Sequence, residues 1–161
     1  MGYLETISKG LDKLARWIVQ ISVAVMTLAI VAQVVWRYFL QHPLIWTEEL
    51  ARYALVWMSF IGAGVALRAK ELAYVDLFIS KLPIKAQKNV FILVDITNTV
   101  LIGFLLYYGL LLIGLPSVTM QKSPAMNIPM NYVYLGVPVG LGIMFVQSIV
   151  KLVKNFGGEV R

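Results

Sequence analysis

Residues 46–67 read WTEELARYALVWMSFIGAGVAL, an apolar stretch whose charged residues all lie in its first seven positions. In an α-helix this stretch rises about 33 Å, which is enough to cross a hydrocarbon core of roughly 30 Å. A charge at the bilayer centre costs roughly 2.5–3.5 kcal/mol on insertion scales, so charges near a span lie at its end, pair, or face protein or water. The stretch therefore predicts a transmembrane helix with polar residues at its head.

Three further charge-free stretches flank this one. They run from Trp17 to Trp36, from Ile96 to Gln121 and from Ser123 to Val150. The chain is 60% hydrophobic and only 14% charged, which is more apolar than a soluble domain. We expect an all-α integral membrane protein that forms one domain over residues 1–161, with four transmembrane helices at about 17–39, 46–67, 91–115 and 132–152.

The basic residues indicate how these spans are oriented. Eleven of them precede the first span, separate the second from the third or follow the fourth, whereas only Arg37, Arg52 and Lys122 lie in the opposite connections. Basic residues concentrate on the cytoplasmic side, so both termini are expected to be cytoplasmic. Since these residues flank spans and never gather on one soluble face, the net charge of +6 does not indicate nucleic-acid binding.

Two segments have the pattern of interfacial amphipathic helices. In residues 1–16 apolar side chains recur at helical spacing opposite charged ones, with an extension of the first span as the alternative. The first span is too long for a signal peptide and lacks a small-residue cleavage site, so we expect it to be retained. A short cytoplasmic surface helix is predicted over residues 71–82, with Asp76 on its polar side and Pro83 at its end.

Arg37, Glu48, Glu49 and Arg52 are predicted to meet at the outer interface, where their charges cancel. One interpretation is that they pair within the subunit and tie the first two spans together. A second is that one or more of them pairs with another chain. A third makes Glu48 or Glu49 a proton or substrate carrier, although coupling sites in secondary transporters lie near the midplane rather than at one face.

Two other sets of residues have a structural interpretation. Asp95, near the cytoplasmic end of the third span, is expected to form a local salt bridge or a water contact, and an ion site there would need further converging oxygens. Small residues at four-residue spacing permit close helix packing, either inside the bundle or against a partner. These are Gly136 with Gly140, and Ser59 with Ala63.

Several classes of chemistry are absent from the sequence. There is no cysteine, and His42 is the only histidine, so haem, zinc and iron–sulfur sites are not expected. No glycine-rich phosphate loop and no serine–histidine arrangement occurs, so we do not expect an enzyme. No cofactor is assigned to this chain.

The order of these features resembles the Q-type (DctQ) small membrane subunit of TRAP transporters. The specific part is the head of the second span, where Trp46 precedes Glu48, Glu49 and Arg52. Members of this family commonly have a histidine shortly before a Val-Asp pair, which is Val75–Asp76 in this sequence. This chain has Leu72 at the position of that histidine. A role proposed for that histidine therefore does not transfer.

The resemblance implies a non-catalytic scaffold in the bacterial inner membrane. Its partners would be a large M-type transport subunit, which would carry the sodium and substrate sites, and a periplasmic binding protein that delivers an organic acid of the sialic acid or C4-dicarboxylate type. The alternative function is a small self-assembling transporter that couples protons through Glu48 or Glu49. A haem or quinone anchor is disfavoured by the single histidine in a turn.

Overall fold

The computed structural model describes residues 2–42, 44–69 and 83–156, which form helices joined by short connections. The helices are α1 (Gly2–Phe39), α2 (Ile45–Ala69), α3 (Ile84–Gly114), α4 (Pro116–Thr119), α5 (Met130–Tyr134) and α6 (Gly136–Phe156). Within these described ranges, four stretches are long and apolar enough to cross a membrane, namely Thr6–Phe39, Ile45–Ala69, Asn89–Gly114 and Met130–Val153. The predicted all-α membrane fold with four spans is confirmed. The predicted surface helix at 71–82 and its Asp76 lie outside the described residues.

Helix α1 joins the amphipathic start to the first span without a break. It contains 38 residues, which correspond to about 57 Å of helix. This length exceeds the hydrocarbon core, so α1 tilts or extends past the bilayer surface. The helix therefore does not end at the boundary predicted at residue 17, and residues 2–16 are a helical extension of the first span.

The two helices at the edges of the fold each pack through one narrow seam. On α1 the buried positions recur every seventh residue, and they are Ser8, Ala15, Ser22 and Ala29. On α3 the same spacing occurs at Asp95, Ile102 and Gly109. A seven-residue repeat is the pattern of left-handed helix packing, and it leaves the remaining faces of both helices exposed.

The four long helices form an open layer rather than a closed bundle. Helix α1 packs on α2, α2 packs on α6, and α6 packs on α3. Two hydrophobic clusters join them, one centred on Ile61 and Ile143 and the other on Leu67, Ile102 and Leu141. Helices α2 and α6 are thus central, and α1 and α3 are peripheral. We call the end of the layer that carries the loop 116–131 the outer end. The opposite end, which carries residues 69, 83 and 156, is the inner end.

Gly136 and Gly140 lie in the seam between α2 and α6. A Cβ atom on Gly140 would stand 2.5 Å from the carbonyl carbon of Phe60, and one on Gly136 would stand 3.1 Å from the indole of Trp57. The missing side chains therefore let the two backbones approach closely. Of the other small-residue pair, Ser59 is exposed and Ala63 is only partly buried.

Candidate functional site

The loop at the outer end has a defined fold. Residues Lys122 and Pro129 form an isolated antiparallel bridge, and the backbone N–H of Ser123 donates to the carbonyl of Ile128 at 2.9 Å. Asn127 closes the turn with a φ of 56°, a left-handed conformation that asparagine tolerates better than most residues. The loop is therefore a structured turn that returns the chain to α5.

Glu49 anchors this loop to α2. Its carboxylate accepts hydrogen bonds from the Ser123 hydroxyl, from the N–H of Ala125 at 3.0 Å and from the N–H of Met126 at 3.1 Å. The residue is only 8% exposed, and within the described residues it makes no salt bridge. Its charge is instead stabilised by donors from one loop, and charge-assisted hydrogen bonds are the strong ones.

Glu48 and Arg52 point away from this anchor. The Arg52 Nη2 lies 2.7 Å from the Glu48 Oε1, and the two side chains are 67% and 58% exposed. Adjacent residues on a helix are about 100° apart, which explains why Glu48 faces outward while Glu49 faces the loop. The pair presents two cancelling charges on the free face of α2.

Arg37 and Trp46 are also exposed at this end. Among the described residues Arg37 makes no salt bridge. The four predicted charges therefore do not form one cluster within the chain. They separate into an internal anchor at Glu49, an exposed pair at Glu48 and Arg52, and an exposed single cation.

The exposed pair begins a stripe along α2 that we name the α2 stripe. It consists of Glu48, Arg52, Leu55 and Ser59. Their spacing of four, three and four residues places them on one helix face. Glu48, Arg52 and Ser59 stand out separately in the sequence, and the seven-residue spacing from Glu48 to Leu55 and from Arg52 to Ser59 is the signal that connects them.

Asp95 lies between α3 and α6 at the inner end. Its Oδ1 is 2.9 Å from the Nζ of Lys151, and its Oδ2 accepts a hydrogen bond from Asn155. The expected local salt bridge is present, with its cation supplied by α6. A basic and an amide side chain occupy the carboxylate, so this arrangement is a helix clamp rather than a cation site.

A second polar network at the inner end holds the start of α1. The Ser8 hydroxyl donates to the Gln147 side chain at 2.5 Å, and the Ser8 carbonyl accepts from Arg68 at 3.0 Å. Arg68 also lies 3.1 Å from Asp12. These contacts tie α1 to α2 and α6. These contacts could not be predicted from the sequence, because the partners are far apart in the chain.

The acidic residues that the structure describes do not come together to form a metal site. Within the described ranges, no group of three histidine, cysteine, aspartate or glutamate residues is placed to hold a metal ion. The acidic residues with defined partners lie at the two ends of the layer, at Glu48 and Glu49 on one side and at Asp12 and Asp95 on the other. Among the described residues these carboxylates are therefore engaged by helix and loop partners at the two ends of the layer.

Comparison with known proteins identifies the family. Residues 26–158 match the model described as "Tripartite ATP-independent periplasmic transporters, DctQ component". The chain is 33% identical over 117 residues to the isethionate TRAP transporter permease protein DctMQ of Oleidesulfovibrio alaskensis, covering 73% of this chain but 18% of that protein. It is 27% identical over 154 residues to the ectoine TRAP transporter small permease protein TeaB of Halomonas elongata, covering 96% and 80% of the two chains. It is 30% identical over 105 residues to the sialic acid TRAP transporter small permease protein SiaQ of Vibrio cholerae, covering 63% and 61%. The chain therefore belongs to the DctQ family, the small membrane component of tripartite ATP-independent periplasmic transporters.

Proposed function

We propose that this chain is the non-catalytic scaffold that holds a large M-type transport subunit in the inner membrane, and that the α2 stripe is its contact with that subunit. The family is a family of transporter subunits rather than enzymes, and its members reside in the inner membrane. The observation that carries the proposal is the exposed Glu48–Arg52 pair on the free face of α2.

A neutral charge pair on an exposed helix surface at the membrane interface is suited to a protein partner. Exposed to lipid, two ionised groups lose hydration, and a partner with matching polar groups restores it. Ser59 continues the polar character of the stripe two turns further into the membrane. Small hydroxyl side chains permit close approach between helices and donate hydrogen bonds across the contact.

The isethionate relative supports a large partner. It is named a permease protein DctMQ, and the present chain spans only 18% of its length. We infer that the remaining length corresponds to the large subunit, which the present chain would meet as a separate protein. The large subunit would carry the sodium and substrate sites, because this chain places its defined carboxylates at the ends of the layer.

The proposed substrate is an organic acid of the sialic acid or C4-dicarboxylate type, delivered by a periplasmic binding protein and taken up with sodium. Relatives named for sialic acid and for C4-dicarboxylate support this class. Other relatives are named for ectoine and isethionate. Similar small subunits thus accompany chemically different substrates, which favours substrate selection by the other subunits.

The alternative, a self-assembling proton-coupled transporter, has less support. Glu49 is engaged by three donors from the outer loop, and Glu48 is paired with Arg52. Both lie at one end of α2, whereas coupling sites in secondary transporters lie near the bilayer midplane.

Exchange of the Glu48–Arg52 charges tests the proposal. The variant Glu48→Arg with Arg52→Glu keeps an ion pair on α2 but reverses the pattern that a partner meets. If the pair only stabilises α2, the exchanged variant retains its stability and its co-purifying proteins. If the α2 stripe binds the large subunit, stability is retained while the large multispanning protein is lost from affinity-purified membranes, as judged by mass spectrometry. Retention of that protein at wild-type yield would contradict the assignment.

A further inference from the structure

We infer that the inner end of α1 holds an anionic phospholipid, with the phosphate on Lys13, Arg16 and Arg68 and the acyl chains along the neighbouring apolar face of α1. Lys9, Lys13 and Arg16 are exposed and follow the spacing of one helix face. The charge-free stretch of α1 begins at the next residue, Trp17. The basic face therefore lies at the level of the lipid headgroups.

Arg16 and Arg68 are held close together by one acidic group. Their guanidinium groups lie 3.0 Å and 3.1 Å from the same oxygen of Asp12. One carboxylate neutralises only one of these two charges, and Lys13 adds another. Because each guanidinium has five N–H donors, both keep donors for a second acceptor. A phosphate fits two such groups, since arginine binds phosphate oxygens through its planar fork.

The apolar surface beside this basic face indicates a lipid rather than a free anion. Leu14, Trp17 and Ile21 are exposed on α1 at spacings of three and four residues, with Trp17 58% exposed. They form a continuous strip that runs from the basic residues towards the membrane interior. Exposed tryptophan beside basic residues is the arrangement found at membrane interfaces. A headgroup on the basic face thus places its chains on this strip.

A lipid bound at this site would also strengthen the contact between α1 and α2. Asp12 and Arg68 link α1 to the inner end of α2, and Arg68 also donates to the Ser8 carbonyl. A phosphate bound to Arg16 and Arg68 would reinforce that link. The lipid would therefore stabilise the extension of α1 that continues past the hydrocarbon core.

The test measures which lipid stays with the protein. The full chain, purified with its membrane partner in mild detergent, is analysed for bound phosphatidylglycerol and phosphatidylethanolamine by mass spectrometry, and its thermal unfolding is followed as each lipid is added. We expect enrichment of phosphatidylglycerol over the membrane average and a higher unfolding temperature with that lipid. In the variant Lys13→Gln with Arg16→Gln, apparent affinity should fall roughly thirtyfold, since each basic group near the surface contributes about fivefold.

Two controls make the result decisive. Lys122→Gln removes an exposed basic charge from the outer loop and should leave the enrichment unchanged. Inorganic phosphate should not reproduce the stabilisation, because it has no chains to cover the apolar strip. Equal retention of the two lipids by the wild type, equal loss in Lys122→Gln, or full stabilisation by phosphate would each overturn the proposal. If the double variant fails to fold, comparison of the two lipids on the wild type still decides it.

Discussion

Replacing Glu49 with glutamine tests whether its carboxylate holds the outer loop. The substitution preserves side-chain size but exchanges one acceptor oxygen for an NH₂ donor. Of the three loop donors to the carboxylate, Ser123 and Met126 bond one oxygen and Ala125 bonds the other. At least one donor must then face another donor, and the remaining bonds lose their charge assistance.

The magnitude follows from these bonds. An unsatisfied buried polar group costs about 1–3 kcal/mol, and a bond to a charged group is worth about 1 kcal/mol more than a neutral one. We expect Glu49→Gln to destabilise the folded loop by about 2–4 kcal/mol. Because the loop is one local unit, the loss should appear as local opening rather than as unfolding of the whole layer.

Amide hydrogen exchange measures this opening. Exchange of the Ala125 and Met126 amides should accelerate roughly 30-fold to several hundredfold in Glu49→Gln, which is the factor that corresponds to the predicted free energy. Glu48→Gln is the matched control. That neighbouring carboxylate is exposed and, among the described residues, its ion-pair partner is Arg52 on the same helix, so exchange in the loop should change less than about threefold. Equal exchange in the two variants would refute the anchoring role of Glu49.

Three further substitutions probe packing, the inner clamp and the exposed stripe. Gly140→Ala places a Cβ 2.5 Å from the α2 backbone and should lower the free energy of unfolding by about 3 kcal/mol in a denaturation experiment. Gly142→Ala, with nothing within 4 Å of the added Cβ, should be neutral or mildly stabilising. Lys151→Met leaves Asp95 without its salt-bridge partner and should lower the free energy of unfolding by about 3–5 kcal/mol. The further change Asp95→Asn should restore much of that stability. If stability does not recover, the clamp is not supported. Ser59→Leu should leave unfolding within about 0.5 kcal/mol of wild type but reduce co-purification of the large subunit, and an unchanged yield would remove Ser59 from the interface.

The spans were predictable because the membrane imposes them. A charged residue is excluded from the hydrocarbon core whatever the neighbouring helices are, so charge-free stretches alone indicated four helices. The α2–α6 seam was partly predictable for a similar reason. Gly136 and Gly140 have the spacing that close packing requires, although the sequence did not show that α2 is the helix they approach.

The roles of Glu48 and Glu49 required the tertiary structure. The two residues are chemically identical neighbours, and only the donors at Ser123, Ala125 and Met126 turn one of them into an anchor. Those donors lie more than 70 residues away in the chain. The salt-bridge partner of Asp95 was hidden for the same reason, since Lys151 is on another helix.

The sequence contains a pattern that indicates a continuous α1, but the amphipathic pattern of residues 1–16 obscured it. Ser8, Ala15, Ser22 and Ala29 recur at seven-residue spacing through the predicted boundary at residue 17. A seam that crosses a boundary with its repeat unbroken indicates one continuous helix. Lys9, Lys13 and Arg16 are exposed, and Asp12 contacts Arg68 of α2, so these charges do not interrupt the packing on α2.

The most direct test of the scaffold account is photocrosslinking from the α2 stripe in native membranes. A photoreactive residue at Ser59 is compared with one at Val100, which is exposed on α3, and the adducts are identified by mass spectrometry. The account predicts that Ser59 yields an adduct with one large multispanning protein at higher yield than Val100 does. A Ser59 adduct with a second copy of this chain, together with proton-coupled flux by the purified chain alone, would contradict it.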